Sequence, residues 1–208
     1  MWKCLRCEKE NQDSAEKCAS CAHERTMDYI QYRTLSKVSE TTSVNWKRTA
    51  SIPEGIEKPV LMADEDSTTV FGSKILRKNI REIEFVKVKK EKVPSGAWDV
   101  SEDKKKTIQA WTESTDKGLI LKIGSENGVY ANPNCKSLFS GYSNVKKIEF
   151  NHLFDTSKAI CMEYMFYECG ELEDIDVSRF NTGNVTDMAC MFAFDNKLKK
   201  LDMSQFDT

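Results

Sequence analysis

A unit of 26 residues recurs through the C-terminal part of the chain, and this constrains the fold more than any composition figure. Leu172, Ile175-Asp176-Val177-Ser178, Phe180 and Thr182 return, each displaced by 26, as Leu198, Leu201-Asp202-Met203-Ser204, Phe206 and Thr208. Phe154, Thr156, Met162, Met165 and Phe166 stand 26 before Phe180, Thr182, Met188, Met191 and Phe192. One copy earlier, Leu138-Phe139 and Val145, Ile148 and Phe150 match at 27, the extra residue falling near His152-Leu153. Asn79-Ile80, Ile83-Glu84-Phe85 faintly echoes Asn144-Val145, Ile148-Glu149-Phe150. A unit this short cannot bury an apolar side by itself, so copies must stack on one another.

Each copy changes period internally. Ile175 and Val177 alternate as in a short strand, while Val185, Met188, Met191 and Phe192 follow the spacing of one face of a short helix. Strand on strand and helix on helix, the copies predict an α/β solenoid of short parallel strands plus short helices. Methionines at this spacing are expected as core filler. Upstream, Trp98–Val100 and Thr107–Trp111 flank the Glu102–Lys106 turn, and Leu119–Ile123 follows Lys117-Gly118, so β hairpins are expected before the repeats. The lysine run Lys104–Lys106 reads either as a solvated turn or as a phosphate patch.

The repeated phrase resembles the BspA-like leucine-rich repeats of bacterial surface proteins, over about residues 75–208. Ala97–Ser101, Ile108–Trp111, Leu119–Gly124 and Gly128–Ala131 look like the segment that often precedes such repeats. The resemblance implies a leucine-rich-repeat scaffold, binding to a protein or host-surface partner, and no catalysis. The chain divides into a metal-binding head at 1–25, a linker at 26–70, a β-rich N-terminal cap at 71–134 and repeats at 135–208. Phe206-Asp207-Thr208 stops where a further copy would begin its helix, so the array reads as truncated.

The eight cysteines fall into two groups. Cys4-x2-Cys7 and Cys18-x2-Cys21 place two thiolates on each of two tight knuckles, the donor set of a closed tetrahedral structural Zn2+ site. A head of about 25 residues has too little core to fold unaided, so metal binding would supply its folding free energy. Two disulfides would be the rival pairing, but they need an oxidising compartment. Trp2, Asn11 and the four cysteines together resemble the Ran-binding-protein type of zinc finger and, more loosely, the zinc ribbons that open many bacterial proteins. That resemblance implies that Trp2 packs on the knuckles and Asn11 links the two hairpins. Ubiquitin-binding members carry Thr-Phe where this chain has Glu8-Lys9, and RNA-binding members carry a Trp where it has Gln12.

Thirty-one Lys plus Arg against 33 Asp plus Glu leave a net charge of -2, which excludes a dedicated nucleic-acid coat. No apolar run approaches the ~18 residues of a membrane span, and Met1–Cys7 contains no signal-peptide core, so a cytoplasmic location is expected. The stretch 39–69 is rich in Ser, Thr, Glu and Lys and broken by Pro53, Gly55 and Pro59. Neither histidine has a nucleophile or base at a telling spacing, and no glycine-rich phosphate loop is present, so no enzyme activity is expected. The residues flanking the buried positions of each strand form the candidate binding face: Glu149 and Asn151, Asp176 and Ser178, Asp202 and Ser204. They make an acidic column beside a polar one, either solvated or recognising a basic segment or cation on a partner protein. A nucleic-acid or ubiquitin adaptor acting through the zinc finger is the alternative.

Overall fold

The computed structural model describes residues 58–66 and 68–207, together with the backbone of two short strands, β1 (Trp2–Lys3) and β2 (Glu10–Asn11). β1 and β2 pair antiparallel, with Trp2 opposite Asn11. Cys4, Cys7, Cys18 and Cys21 lie outside the described residues, as do 26–57 of the expected linker.

Eight further strands follow: β3 (Ile80–Lys87), β4 (Trp98–Asp99), β5 (Gln109–Thr115), β6 (Gly118–Ser125), β7 (Val129–Tyr130), β8 (Lys147–Glu149), β9 (Phe154–Asp155) and β10 (Asp174–Ile175). Six of them form one mixed sheet in the order β10-β8-β3-β6-β5-β4, and β7 pairs with β9. β4, β5 and β6 are antiparallel neighbours, with Trp98 opposite Ala110 and Ala110 opposite Ile123. β6, β3, β8 and β10 run parallel. Ile83 stands opposite Ile148, and Ile148 opposite Ile175. The faint echo at 79–85 is thus a layer of the sheet in register with the repeats, and β3 joins the residues on either side of position 134.

No α-helix occurs among the described residues; two 3-10 turns, Arg77–Asn79 and Lys90–Lys92, are the helical elements they contain. The apolar spacing at 185–192 therefore does not make the expected short helix. Its carbonyls accept amides of the preceding copy, and Val185 and Met191 N–H reach only three residues back, to Thr182 O and Met188 O, not four. Ser137 N–H donates to Glu163 O at 3.0 Å and Tyr164 N–H to Ala189 O at 2.9 Å. Phe139 N–H donates to Met165 O and Phe166 N–H to Met191 O, both at 2.8 Å. Ser137, Tyr164 and Cys190 have φ of 55°, 56° and 54°, and Gly141, Glu168 and Phe194 have 72°, 60° and 68°. These are two stacked rows of left-handed corners, which interrupt any right-handed helix. A chain turning at such corners repeats its inward positions about every three residues, and sequence spacing alone does not separate that from a helical face.

The second departure is at 58–70, expected as linker. Val60, Leu61 and Val70 are buried. Leu61 N–H donates to Tyr130 O at 2.9 Å and Met62 N–H to Val100 O at 2.9 Å, so the segment packs along β7 and the β4 turn. Two apolar residues side by side give no periodic signal, yet they suffice where neighbouring backbone completes the hydrogen bonds.

The core is organised by phenylalanine. Phe139 stacks on Phe166 at 5.6 Å, and Phe166 on Phe192 at 5.1 Å, in the same register as the left-handed corners. Phe150 meets Phe180 at 5.2 Å, and Phe180 stacks on Phe206 at 6.5 Å. Phe85 and Phe154 join them at 5.0 Å from one another. Copies are also clasped by threonine. Thr156 Oγ1 donates to Asn181 O at 3.0 Å and accepts from Asn181 N–H at 2.7 Å, and Thr182 repeats the pair with Asp207 at 3.5 and 2.7 Å.

Arg77 ties the upstream segment to the first copy. It is fully buried at 0 % exposure. Its guanidinium meets the Asp64 carboxylate at 2.8 Å and donates to the carbonyls of Thr69, Ser137, Ser140 and Asp64 at 2.6–3.0 Å. It also lies 5.0 Å from the Tyr142 ring centre. Both charges are paired and most of the fork's donors are satisfied, which is what makes burial of an arginine tolerable.

Candidate binding face

Alternation decides which strand residues look outward. Ile83, Phe85, Ile148 and Ile175 are buried, while Glu82, Glu84, Lys147, Glu149, Asp174 and Asp176 between them are not. The pairing then aligns these outward residues across the sheet. Glu84 stands opposite Lys122 on one side and Glu149 on the other, and the register of β8 with β10 continues the row to Asp176. A second row runs Glu82, Lys147, Asp174. Neighbours within a row are about 4.8 Å apart, the ordinary strand spacing.

Two lysines sit among the carboxylates. Lys122 is paired with Glu84 and lies 3.8 Å from Glu113. Its burial works to lower the ammonium pKa, but the hydrogen bond and charge of Glu84, with Glu113, raise it overall. Lys147 pairs with Glu149, whose hydrogen bond and charge hold the ammonium pKa up. Carboxylates nevertheless outnumber cations in both rows taken together.

Glu149 and Asp176 both border one cleft of this face, and the register sets Glu84 beside Glu149. The other expected residues divide differently. Ser178 donates its hydroxyl to Asp176 at 2.6 Å and its N–H at 3.0 Å, and these two bonds hold the Asp176 carboxyl below its usual range. Asp202 and Ser204 repeat that turn, with Ser204 N–H donating at 2.9 Å, and the Asp202 carboxyl is lowered for the same reason. The Asp-x-Ser phrase is thus first a turn device, also present at Asp99-Ser101 and Asp155-Ser157. Asn151 points its amide back at the sheet, donating to Phe85 O at 3.0 Å. Asn151 and His152 have φ of 49° and 59°, two left-handed residues where the copy carries its extra residue. Glu82 and Glu84 were readable in the echo phrase, since Glu84 aligns with Glu149.

At the β8–β10 end, the face forms a cleft of about 270 Å3 bordered by Lys147, Glu149, His152, Asp176 and Arg179. On the turn-rich side, Cys161 Sγ and the carboxylates of Glu163 and Asp187 lie within 4.8 Å of one another. Burial, with the two carboxylates, pushes the Cys161 thiol up to about 11, against a hydrogen bond from the backbone at Glu163. Lys136 already meets Glu163 at 2.7 Å, so this cluster carries its own cation. Of the residues expected to support a zinc site, Trp2 and Asn11 stand opposite each other in backbone register. No helix among the described residues is long and apolar enough to cross a membrane.

Comparison with protein families places a likeness on the repeats. Residues 133–208 match a family described as Mycoplasma protein of unknown function, DUF285. No curated protein matches the chain at a significant level. No solved structure does either.

Proposed function

We propose that the chain is a non-catalytic protein-interaction module, a leucine-rich-repeat scaffold of the BspA-like kind whose outward sheet face takes a basic segment of a partner protein. The observation that carries this reading is the register that sets Glu84 beside Glu149 on adjacent parallel strands, with Asp176 directly after β10 bordering the same cleft as Glu149. Like charges about 4.8 Å apart repel by roughly 0.9 kcal/mol per pair even in bulk water. A cationic partner relieves that repulsion, and electrostatic matching of this kind chiefly sets encounter rate and specificity. The solenoid part of the reading draws support from the in-register layers Ile83, Ile148 and Ile175 and the stacked rings Phe139, Phe166 and Phe192.

The N-terminal head is part of the same proposal, as a Zn2+-stapled knob held by Cys4, Cys7, Cys18 and Cys21. Its support is the donor chemistry and the antiparallel pairing of β1 with β2, which are joined by the segment that contains Cys4 and Cys7. The reading requires a reducing compartment such as the cytoplasm, where four such thiolates persist and disulfides do not.

The test is binding of a lysine-rich peptide to the full chain, followed by titration calorimetry. Glu84→Gln with Glu149→Gln should weaken binding about tenfold, and Asp176→Ala should weaken it further. Binding unchanged in the triple variant would end the basic-partner reading.

A further inference from the structure

We propose that the layer at 198–206 docks edge to edge against the same layer of a second copy of this chain, forming a two-fold dimer in which Lys200 of each copy meets the partner's Asp202. The surface is an edge of the repeat stack and not its outward acidic face, so the dimer stands or falls separately from the basic-partner reading.

Displacement by 26 makes this layer the counterpart of β10 and the residues after it. Lys200 stands for Asp174, Leu201 for Ile175, Asp202 for Asp176, Met203 for Val177 and Phe206 for Phe180. In the earlier copy Ile175, Val177 and Phe180 are buried, Val177 at 1 % exposure. Here Leu198, Leu201 and Phe206 are half-buried, and Met203, at 47 %, is the one exposed large hydrophobic side chain among the described residues. The layer rests on its neighbour through the Phe180–Phe206 stack and the Thr182–Asp207 clasp, and its other side is open. The main chain is open as well. Among the described residues, no backbone N–H or C=O of Lys199, Lys200, Leu201 or Asp202 has a main-chain partner. Unpaired amides and carbonyls beside apolar side chains are a template for another strand.

The sequence of this edge selects its occupant. Two identical edges related by a two-fold axis pair antiparallel, and residues directly opposite share a face of the sheet. Centred on Leu201, the pairing sets Leu201 against the partner's Leu201, Lys200 against the partner's Asp202, and the stem of Lys199 against the partner's Met203. Symmetry makes the Lys–Asp contact twice. The neighbouring registers that keep the faces matched set Lys200 against the partner's Lys200, or Asp202 against the partner's Asp202, and like charges directly opposite are destabilising. A one-residue slip turns apolar positions to the wrong face. Lys200 and Asp202 are both exposed, and neither forms an ion pair with a described residue. Asp202 accepts Ser204 N–H at 2.9 Å, which fixes the carboxylate at the edge and leaves its charge whole.

A two-fold axis of this kind stands perpendicular to the sheet, so the outward acidic rows of both copies look the same way. A partner that engages one row would then meet the second at high effective concentration.

Sedimentation velocity of the full chain over a dilution series is the test. The native chain should pass from its 23.8 kDa monomer toward twice that mass as concentration rises, with no larger species. Lys200→Glu alone and Asp202→Lys alone should each weaken self-association tenfold or more, since each creates a close like-charge contact twice. Mixed in equal amounts, the two variants should form a heterodimer, because every contact across the edge is again between opposite charges. Lys117→Glu, in the β5–β6 turn, makes the same charge change away from the edge and should leave association within twofold. Carbodiimide coupling of the native chain should yield a covalent dimer joining Lys200 to the partner's Asp202, a readout that needs no variant. A chain monomeric throughout, open-ended oligomers, a dimer indifferent to Lys200→Glu, or no heterodimer from two variants with native urea midpoints would each overturn the proposal. Where a variant fails to fold, a native chain that yields no Lys200–Asp202 cross-link between copies overturns it instead.

Discussion

Replacing Phe166 with alanine should cost the chain about 3–5 kcal/mol of folding free energy. The Phe166 ring is fully buried and meets four others: Phe139 at 5.6 Å, Phe192 at 5.1 Å, Phe180 at 6.3 Å and Phe150 at 6.4 Å. The first two are near-parallel stacks, each worth about 0.5–1.5 kcal/mol beyond the buried area. Neighbouring layers are fixed by inter-copy hydrogen bonds and relax little into the space, so the cavity term is retained. Phe206 is the internal control. Phe180, at 6.5 Å, is its one aromatic neighbour among the described residues, and the ring is partly exposed. Phe206→Ala should therefore cost about 1 kcal/mol. Urea denaturation of the full chain, followed by tryptophan fluorescence, reads both costs from the midpoint at constant slope. A typical domain has about 5–15 kcal/mol in total, so the first variant should be close to unfolded at 37 °C. Equal costs for Phe166→Ala and Phe206→Ala would refute the stacked-layer reasoning.

Three other outcomes follow from the same geometry. Arg77→Ala should lose about 3–5 kcal/mol, because it strands the Asp64 carboxylate and four carbonyls in the interior, while Arg77→Ala with Asp64→Ala should recover part of that loss in the same urea assay. Ser178→Ala should raise the lowered Asp176 pKa toward the ordinary carboxylate value, as read by carboxylate NMR. A carboxyl lowered on folding stabilises above its unfolded pKa near 3.9, and that contribution is lost as pH falls through the lowered folded value, so Ser178→Ala should flatten acid unfolding below about pH 4. Zinc analysis of the dialysed chain should give one Zn2+ that Cys7→Ser removes and Cys161→Ser retains.

The 26-residue offset makes the neighbour relations among the repeats legible in the sequence, because identical side chains must stack if copies stack. The echo at 79–85 likewise pointed to Ile83 beside Ile148. What the pattern did not carry was conformation. Val185, Met188 and Met191 satisfy a helical face and a three-residue turn equally well, and the deciding feature is positive φ at Tyr164, Glu168 and Cys190, side chains with no special preference for it. Arg77 was invisible for another reason: its partner Asp64 lies in a polar stretch whose composition suggests solvent, and only the tertiary contacts make it interior. The face was half legible. Glu149 and Asp176 border one cleft, whereas the serines of the same phrase are occupied in closing turns.

The threonine clasps bear on how such a chain could change in length. Each copy brings both the hydroxyl that grips the following copy and the peptide group gripped by the preceding one, at a separation of 25 residues. In-frame duplication of one whole copy would add a layer that arrives with its fastenings, whereas a one-codon slip would leave a hydroxyl facing the wrong peptide unless a corner such as Asn151-His152 took up the slack.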